Sequence, residues 1–275
     1  MATTTAPTKD WSPDQYLLFR TARNRPVNDL LTFLGPSFSP QRIIDLGCGP
    51  GNSTELLRAR FPSASLSGMD SSPAMLERAR AALPDTAFEL GDVRGYTPPE
   101  GTDLLFSNAV FHWLRGEERI PTITRLLLSL EEGKGVFVFQ VPDNHAEPSH
   151  RAMRETAASP GPWTPFFSGL TEEARPDLDP IESHLEYYNA LAPHCRLVET
   201  WTTRYVHVLE EGHAGIVEWV RGTGLQPFVN ALPAEGGVRE AFLEEYRRRL
   251  ERGYPLAADG RVLLAYPRRF VVAFR

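Results

Sequence analysis

The segment Asp45-Leu46-Gly47-Cys48-Gly49-Pro50-Gly51 constrains this chain more than any other. It ends the short apolar run Arg42 to Leu46, and Ser53 to Phe61 beyond it reads as a helix. A strand that enters a helix through closely spaced glycines makes a turn where the backbone can approach a ligand, with the helix N-terminus just behind.

The flanking sequence repeats the alternation of strand and helix. Strand patterns at Ser65 to Met69, Ala87 to Leu90, Asp103 to Ser107 and Gly135 to Val141 are separated by helical patterns at Ala74 to Leu83 and Arg119 to Leu130. Such spacing predicts an α/β fold, a parallel sheet covered by helices on both faces. Upstream, Asp14 to Leu34 reads as a helix started by Ser12-Pro13. From Pro142 to about Pro193 the strand signal stops, and prolines, aromatics and short amphipathic stretches predict a helical cap over the sheet's C-terminal edge. Leu197 to Leu209 alternates as a strand. Ile216 to Leu250 is expected to be helical in two pieces, broken at Gly222-Thr223-Gly224 and again around Pro233 to Gly237. Arg261 to Ala265 and Phe270 to Phe274 are expected as strands, the last at a sheet edge.

Composition excludes several classes. A formal net charge of -6 argues against a nucleic-acid binder. Cys48 and Cys195 lie too far apart in character for a disulfide framework, and the 7 histidines show no metal-ligand spacing, so no metal is expected. No apolar run approaches a membrane span, and a reduced, cytoplasmic protein is expected. The only lysines are Lys9 and Lys134, so any anion site must be built from arginine.

Two ligands compete for the glycine turn. Nicotinamide folds carry G-x-G-x-x-G and face a pyrophosphate with the helix dipole. Here the spacing is G-x-G-x-G, and Asp45 stands two residues before the first glycine. A carboxylate there repels a pyrophosphate and favours a cationic amino group, such as that of S-adenosylmethionine. Asp70 ends the second strand at the place of a ribose-binding carboxylate, and Asp92 ends the third, where it can accept from an adenine amino group. Cys48 reads as a small packed residue.

These motifs resemble the class I methyltransferases, over Arg42 to Val141. The resemblance implies a Rossmann-like, doubly wound, seven-stranded, mostly parallel sheet with a helical cap insertion. It implies one domain over 1–275, with a cofactor core at about 35–141 and cap segments at about 142–193 and 210–258. It also implies S-adenosylmethionine as cofactor: Asp45, Gly47, Gly49 and Gly51 around the methionine part, Asp70 and Ser71 at the ribose, Asp92 and Val93 at the adenine, and Asn108 beside the methyl group.

The acceptor is read from the remainder. The Asn/Asp-Pro-Pro-aromatic loop of amino-group and base methyltransferases is absent after the fourth strand, where the chain reads Ser-Asn-Ala-Val-Phe-His-Trp. Nearly the whole chain is similar to the trans-aconitate methyltransferase family. The matching segments include Arg23-Asn24-Arg25-Pro26, Gly51-Asn52-Ser53-Thr54, Ser71-Ser72-Pro73-Ala74-Met75, Pro142-Asp143-Asn144, Met153-Arg154-Glu155, Tyr187-Tyr188, Thr223-Gly224-Leu225 and Pro267-Arg268. The proline-rich stretch from Pro160 to Pro180 is longer than that family needs and is expected to reshape the pocket mouth. The resemblance implies a monomeric enzyme that esterifies a small polycarboxylate. A carboxylate is already ionised near neutral pH and needs alignment more than a general base. Arg25, Arg154 and Arg268, with Tyr187 and Tyr188, are the expected substrate ligands; Arg23, Arg204 and Arg221 come second. Trp113 is expected to wall the methyl-transfer site. Another small-metabolite acceptor, through hydroxyl, nitrogen or carbon, would need a base, for which His112 and His145 are the candidates. A non-catalytic cofactor-binding protein is the third reading.

Overall fold

A computed structural model describes residues 19–171 and 174–275. The expected starts at Ser12-Pro13 and Asp14 lie outside the described residues. Helix α1 (Arg20–Phe33) leads into an alternating series: β1 (Arg42–Leu46), α2 (Asn52–Arg60), β2 (Ser65–Asp70), α3 (Pro73–Ala82), β3 (Ala87–Leu90), β4 (Leu104–Asn108), α4 (Gly116–Leu128) and β5 (Val136–Pro142). Then follow α5 (Pro148–Ala158), α6 (Thr164–Phe167), α7 (His184–Leu191), β6 (Leu197–Leu209), α8 (Gly212–Arg221), α9 (Gln226–Asn230), α10 (Val238–Gly253) and β7 (Val262–Phe274).

The seven strands form one sheet in the order β3-β2-β1-β4-β5-β7-β6. The first five are parallel, and β7 pairs antiparallel with both β5 and β6. Strand periodicity divides the side chains between two cores. Ile44, Leu46, Leu105, Phe137 and Phe139 pack with Leu126, Leu127 and Tyr187 on one face. Ile43, Leu104, Phe106, Val136 and Val138 pack with Leu30, Leu31, Leu57 and Phe61 on the other. Local signals hold the helices in place: Ser72 accepts the Met75 N–H at 3.2 Å with Pro73 at the first turn of α3. Ser183 and Glu186 close a capping box at α7.

Three expectations about the last third are corrected. The two final strands are one, continuous through Pro267, and β6 rather than β7 forms the sheet edge. Pro267 is tolerated because its carbonyl accepts the Asp143 N–H at 2.9 Å. Its missing N–H therefore faces β5's side, where ladder pairing has just stopped at Pro142 opposite Arg268. The helical stretch after β6 is three helices, because both breaks interrupt it.

Strands β6 and β7 pair from Leu197↔Phe274 to Leu209↔Val262, while β5 reaches only Arg268. The β6–β7 pair therefore overhangs the C-terminal edge of the parallel strands. On this arm sits the third core, where Leu209, Val262, Leu264 and Tyr266 pack with Met153, Trp219, Phe228, Phe242 and Tyr246 from α5 and α8–α10, and with Trp163 just before α6. Helix α7 belongs instead to the sheet face, since Tyr187 and Leu191 pack in the first core. Among the described residues, no helix is long and apolar enough to cross a membrane.

Candidate active site

Where the parallel strands end beneath the cap, a cavity of about 850 Å³ opens, inside the ~300–1,000 Å³ range of small-molecule sites. Its floor is the glycine turn. Gly47 has φ +64°, and an added Cβ would lie 2.3 Å from a Val110 methyl; Gly49 has φ +55° and open space beside it. Only glycine meets both demands without strain.

Asp70 organises this turn. Its Oδ2 accepts the Gly49 N–H at 2.8 Å and its Oδ1 accepts the Ser72 N–H at 2.9 Å, while the residue itself lines the cavity beside Ser71. Asp92 and Val93 line the next stretch. The Asp92 carboxylate is gripped by the Arg94 guanidinium, with Nη2 at 2.5 Å, and that side-chain hydrogen bond holds the carboxyl below the usual range. The expected adenine acceptor is thus already engaged by the residue two positions further along the chain.

Asp45 and Gly51 do not line the cavity. Asp45 is fully buried behind the turn, where Ser53 Oγ and Thr54 Oγ1 donate to its Oδ2 at 2.7 and 2.6 Å. Its other oxygen has no partner among the described residues. Burial pushes the carboxyl up to about 7, against the lowering effect of the two hydroxyls. Gly51 has φ +94°, a left-handed conformation that favours glycine at the start of α2, while a Cβ there would make only ordinary contacts with Ala79 and Leu83. Cys48 is buried, and burial pushes its thiol up. An open glycine turn that only a side-chain-free backbone can form, with the Asp70 carboxylate at its side in the cavity, fits a ligand that carries a cationic amino group and a ribose.

The cap-side wall is cationic. Arg268 on β7 is 7% exposed; its Nη1 donates to Gln140 Oε1 at 3.0 Å, and its guanidinium lies over Tyr266. Arg154 on α5 donates to the His145 carbonyl at 2.7 Å. Arg23 on α1 is also 7% exposed and also lines the cavity. Trp113 and Asn108 line it where β4 ends. The chain there includes Ala109 at φ +60°, a conformation that costs a residue with a Cβ roughly 1–3 kcal/mol.

Three expected substrate residues are elsewhere. Arg25 is exposed and stacks over the Tyr205 ring at 4.8 Å, outside the cavity. Tyr187 is fully buried in the sheet core, its hydroxyl donating to Glu182 at 2.7 Å. Tyr188 is 47% exposed and away from the site. Arg204 and Arg221 are exposed and pair with Glu147 and Glu218. The stretch after Pro160 does reach the mouth, where Arg175 to Asp179 line the cavity. Arg115 holds this strap by donating to the Asp177 and Arg175 carbonyls, both at 2.9 Å.

The histidines of the wall are held neutral. Burial, then the charges of Arg268 and Arg119, push His112 well below its ordinary value, and its Nδ1 has no partner among the described residues. Burial and Arg154 bring His150 down to about 3. Burial and the same arginine also lower His145.

A methyltransferase-domain family model matches residues 43–133. A relative from Methylobacterium nodulans named trans-aconitate 2-methyltransferase is 48% identical, over 97% of this chain and 98% of its own. Relatives of the same name from Rhodopseudomonas palustris and Variovorax paradoxus are 46% and 44% identical, each over at least 96% of this chain and 98% of their own. The chain belongs to the trans-aconitate methyltransferase family. Its members are class I enzymes, and this chain is an S-adenosylmethionine-dependent methyltransferase. Solved structures agree on the fold. The YcgJ protein of Bacillus subtilis matches with a TM-score of 0.54 over 90% of this chain and 97% of its own, at 12% identity. Phosphoethanolamine N-methyltransferase 2 of Haemonchus contortus matches with a TM-score of 0.50 over 91% and 52%, at 14% identity.

Proposed function

We propose that this enzyme methylates a carboxylate oxygen of trans-aconitate, or of a closely related polycarboxylate, to give the monomethyl ester. The observation that carries the reading is the cap-side wall, where Arg23, Arg154 and Arg268 face the same cavity as Asn108 and Trp113. Guanidinium groups in a partly desolvated wall are the best partners for the carboxylates that are not methylated. The name of the relatives points to the same acceptor.

S-adenosylmethionine supplies an electrophilic methyl group when bound. Asp70 and Ser71 are proposed to hold the ribose, Val93 and Asp92 the adenine once Asp92 shares its grip with Arg94, and Gly47 and Gly49 the methionine part, with Asn108 beside the methyl group. Asp45 shapes the turn from behind through Ser53 and Thr54. On the other side the arginines orient the acceptor, and Trp113 and Met153 exclude water. The acceptor oxygen is already ionised, so no proton has to be removed, and the depressed basicity of His112 and His150 suits that chemistry.

Incubation of the protein with S-adenosylmethionine and trans-aconitate should yield a monomethyl ester by mass spectrometry. A protein that binds S-adenosylhomocysteine but forms no ester refutes this acceptor.

A further inference from the structure

Gln140 is fully buried on β5 between two side chains that line the cavity. Arg268 Nη1–H donates to its Oε1 at 3.0 Å, and its own Nε2–H donates to Asn108 Oδ1 at 2.5 Å. The direction of these bonds is fixed by chemistry. A guanidinium has only donors, so the oxygen of Gln140 must face Arg268 and its NH2 group must face Asn108. Asn108 therefore offers its oxygen to Gln140, and its own NH2 group is turned the other way. The backbone reinforces this: the Gln140 carbonyl accepts the Ala109 N–H at 2.9 Å, holding the left-handed residue that follows Asn108.

We propose that Gln140 is a positioning residue for methyl transfer. It uses the charge of Arg268 to lock Asn108 as a hydrogen-bond donor toward the cavity, so the acceptor's anchor and the donor at the end of β4 are set by one buried amide. This rests on the reading of the Arg268 wall as the acceptor side. The Asn108 NH2 group then meets an oxygen of the bound anion beside the reacting centre, and reversing the amide would present an oxygen instead.

Two variants separate orientation from packing. Gln140→Met keeps the length and removes both bonds; turnover at saturating trans-aconitate should fall about tenfold or more, toward the roughly 10²–10³-fold cost of losing an oriented donor. Gln140→Glu keeps size but, once ionised, accepts at both ends, so it pairs with Arg268 and draws the NH2 of Asn108 away from the cavity. Its turnover should be lower than that of Gln140→Met, and its KM for trans-aconitate higher, with the Kd for S-adenosylhomocysteine unchanged. A packing role ranks the two the other way. Turnover of Gln140→Glu within twofold of the parent, or above that of Gln140→Met, overturns the proposal.

A second measurement needs no turnover. In the S-adenosylhomocysteine-bound parent, side-chain amide NMR should show slow hydrogen exchange for the Gln140 NH2 and fast exchange for the Asn108 NH2; the reverse order overturns the relay. If the parent forms no ester, the carboxylate reading alone fails, and the exchange rates still decide the orientation.

Discussion

The Asp70 carboxylate accepts the Gly49 N–H at 2.8 Å across the tips of β2 and the glycine turn. One side chain thus both ties the turn that cradles a ligand and faces the ligand's space. Asp70→Ala should cost roughly 1–3 kcal/mol of stability, because the Gly49 and Ser72 N–H groups lose their acceptor. It should also raise the Kd for S-adenosylhomocysteine by more than the stability loss implies. Denaturant titration and calorimetry check the pair, with Asp70→Asn expected between the parent and Asp70→Ala.

Arg23 and Arg25 sit two residues apart on α1 and should behave as opposites. Arg23 lines the cavity and Arg25 stacks on Tyr205 outside it. Arg23→Ala and Arg154→Ala should raise the KM for the acceptor, with a cost of about 2–5 kcal/mol if the lost partner is a desolvated carboxylate. Arg25→Ala should leave that KM unchanged. Steady-state kinetics with trans-aconitate decide the contrast.

Beneath the strap, Arg119 is fully buried and pairs with Glu182 at 2.9 Å, while its Nη1 also donates to the Pro180 carbonyl at 2.8 Å. Tyr187 donates to the same carboxylate. Arg119→Ala should lose about 3–5 kcal/mol, since the uncompensated acid stays buried, whereas Arg119→Met combined with Glu182→Leu should recover most of it. Urea unfolding of the two variants measures the difference.

The response to pH follows from groups of opposite sign. Burial, then nearby arginines, lower His150 from 6.5 to about 3 and His207 from 6.5 to about 4. The unfolded chain takes up protons near 6.5 where the folded chain does not, so this contribution is lost as pH falls from 6.5 toward 4. Asp45 is raised from 3.8 to about 7, so its contribution is present below 3.8 and is lost as pH rises through about 7. His207→Gln should therefore gain Tm relative to the parent as pH drops below 6.5, and turnover should show no histidine inflexion near that pH.

Sequence made the sheet and the cofactor rim legible because both rest on local signals: strand periodicity, glycine spacing, and carboxylates where strands end. Asp70 carries its meaning in its position. Arg23 against Arg25 does not, because the choice depends on which face of α1 looks at a cap formed about two hundred residues later. Tyr187 is equally illegible for a related reason. Its phenol satisfies Glu182 inside the sheet core, and only the long-range pair of Arg119 with Glu182 brings that acid there. Gln140 left no signal at all, since its proposed role lies where the ends of β4 and β5 meet the middle of β7.

The overhanging β6–β7 pair has a thermodynamic consequence. Strand β7 is wedged between β5 and β6 at one end and forms the floor of the cap core at the other. The cap cannot come loose without unpairing strands that also close the sheet, so the two layers should melt in one transition. Calorimetry would then give a van't Hoff enthalpy equal to the measured one, and saturation with S-adenosylhomocysteine, though held at the rim, would stabilise the cap as much as the floor.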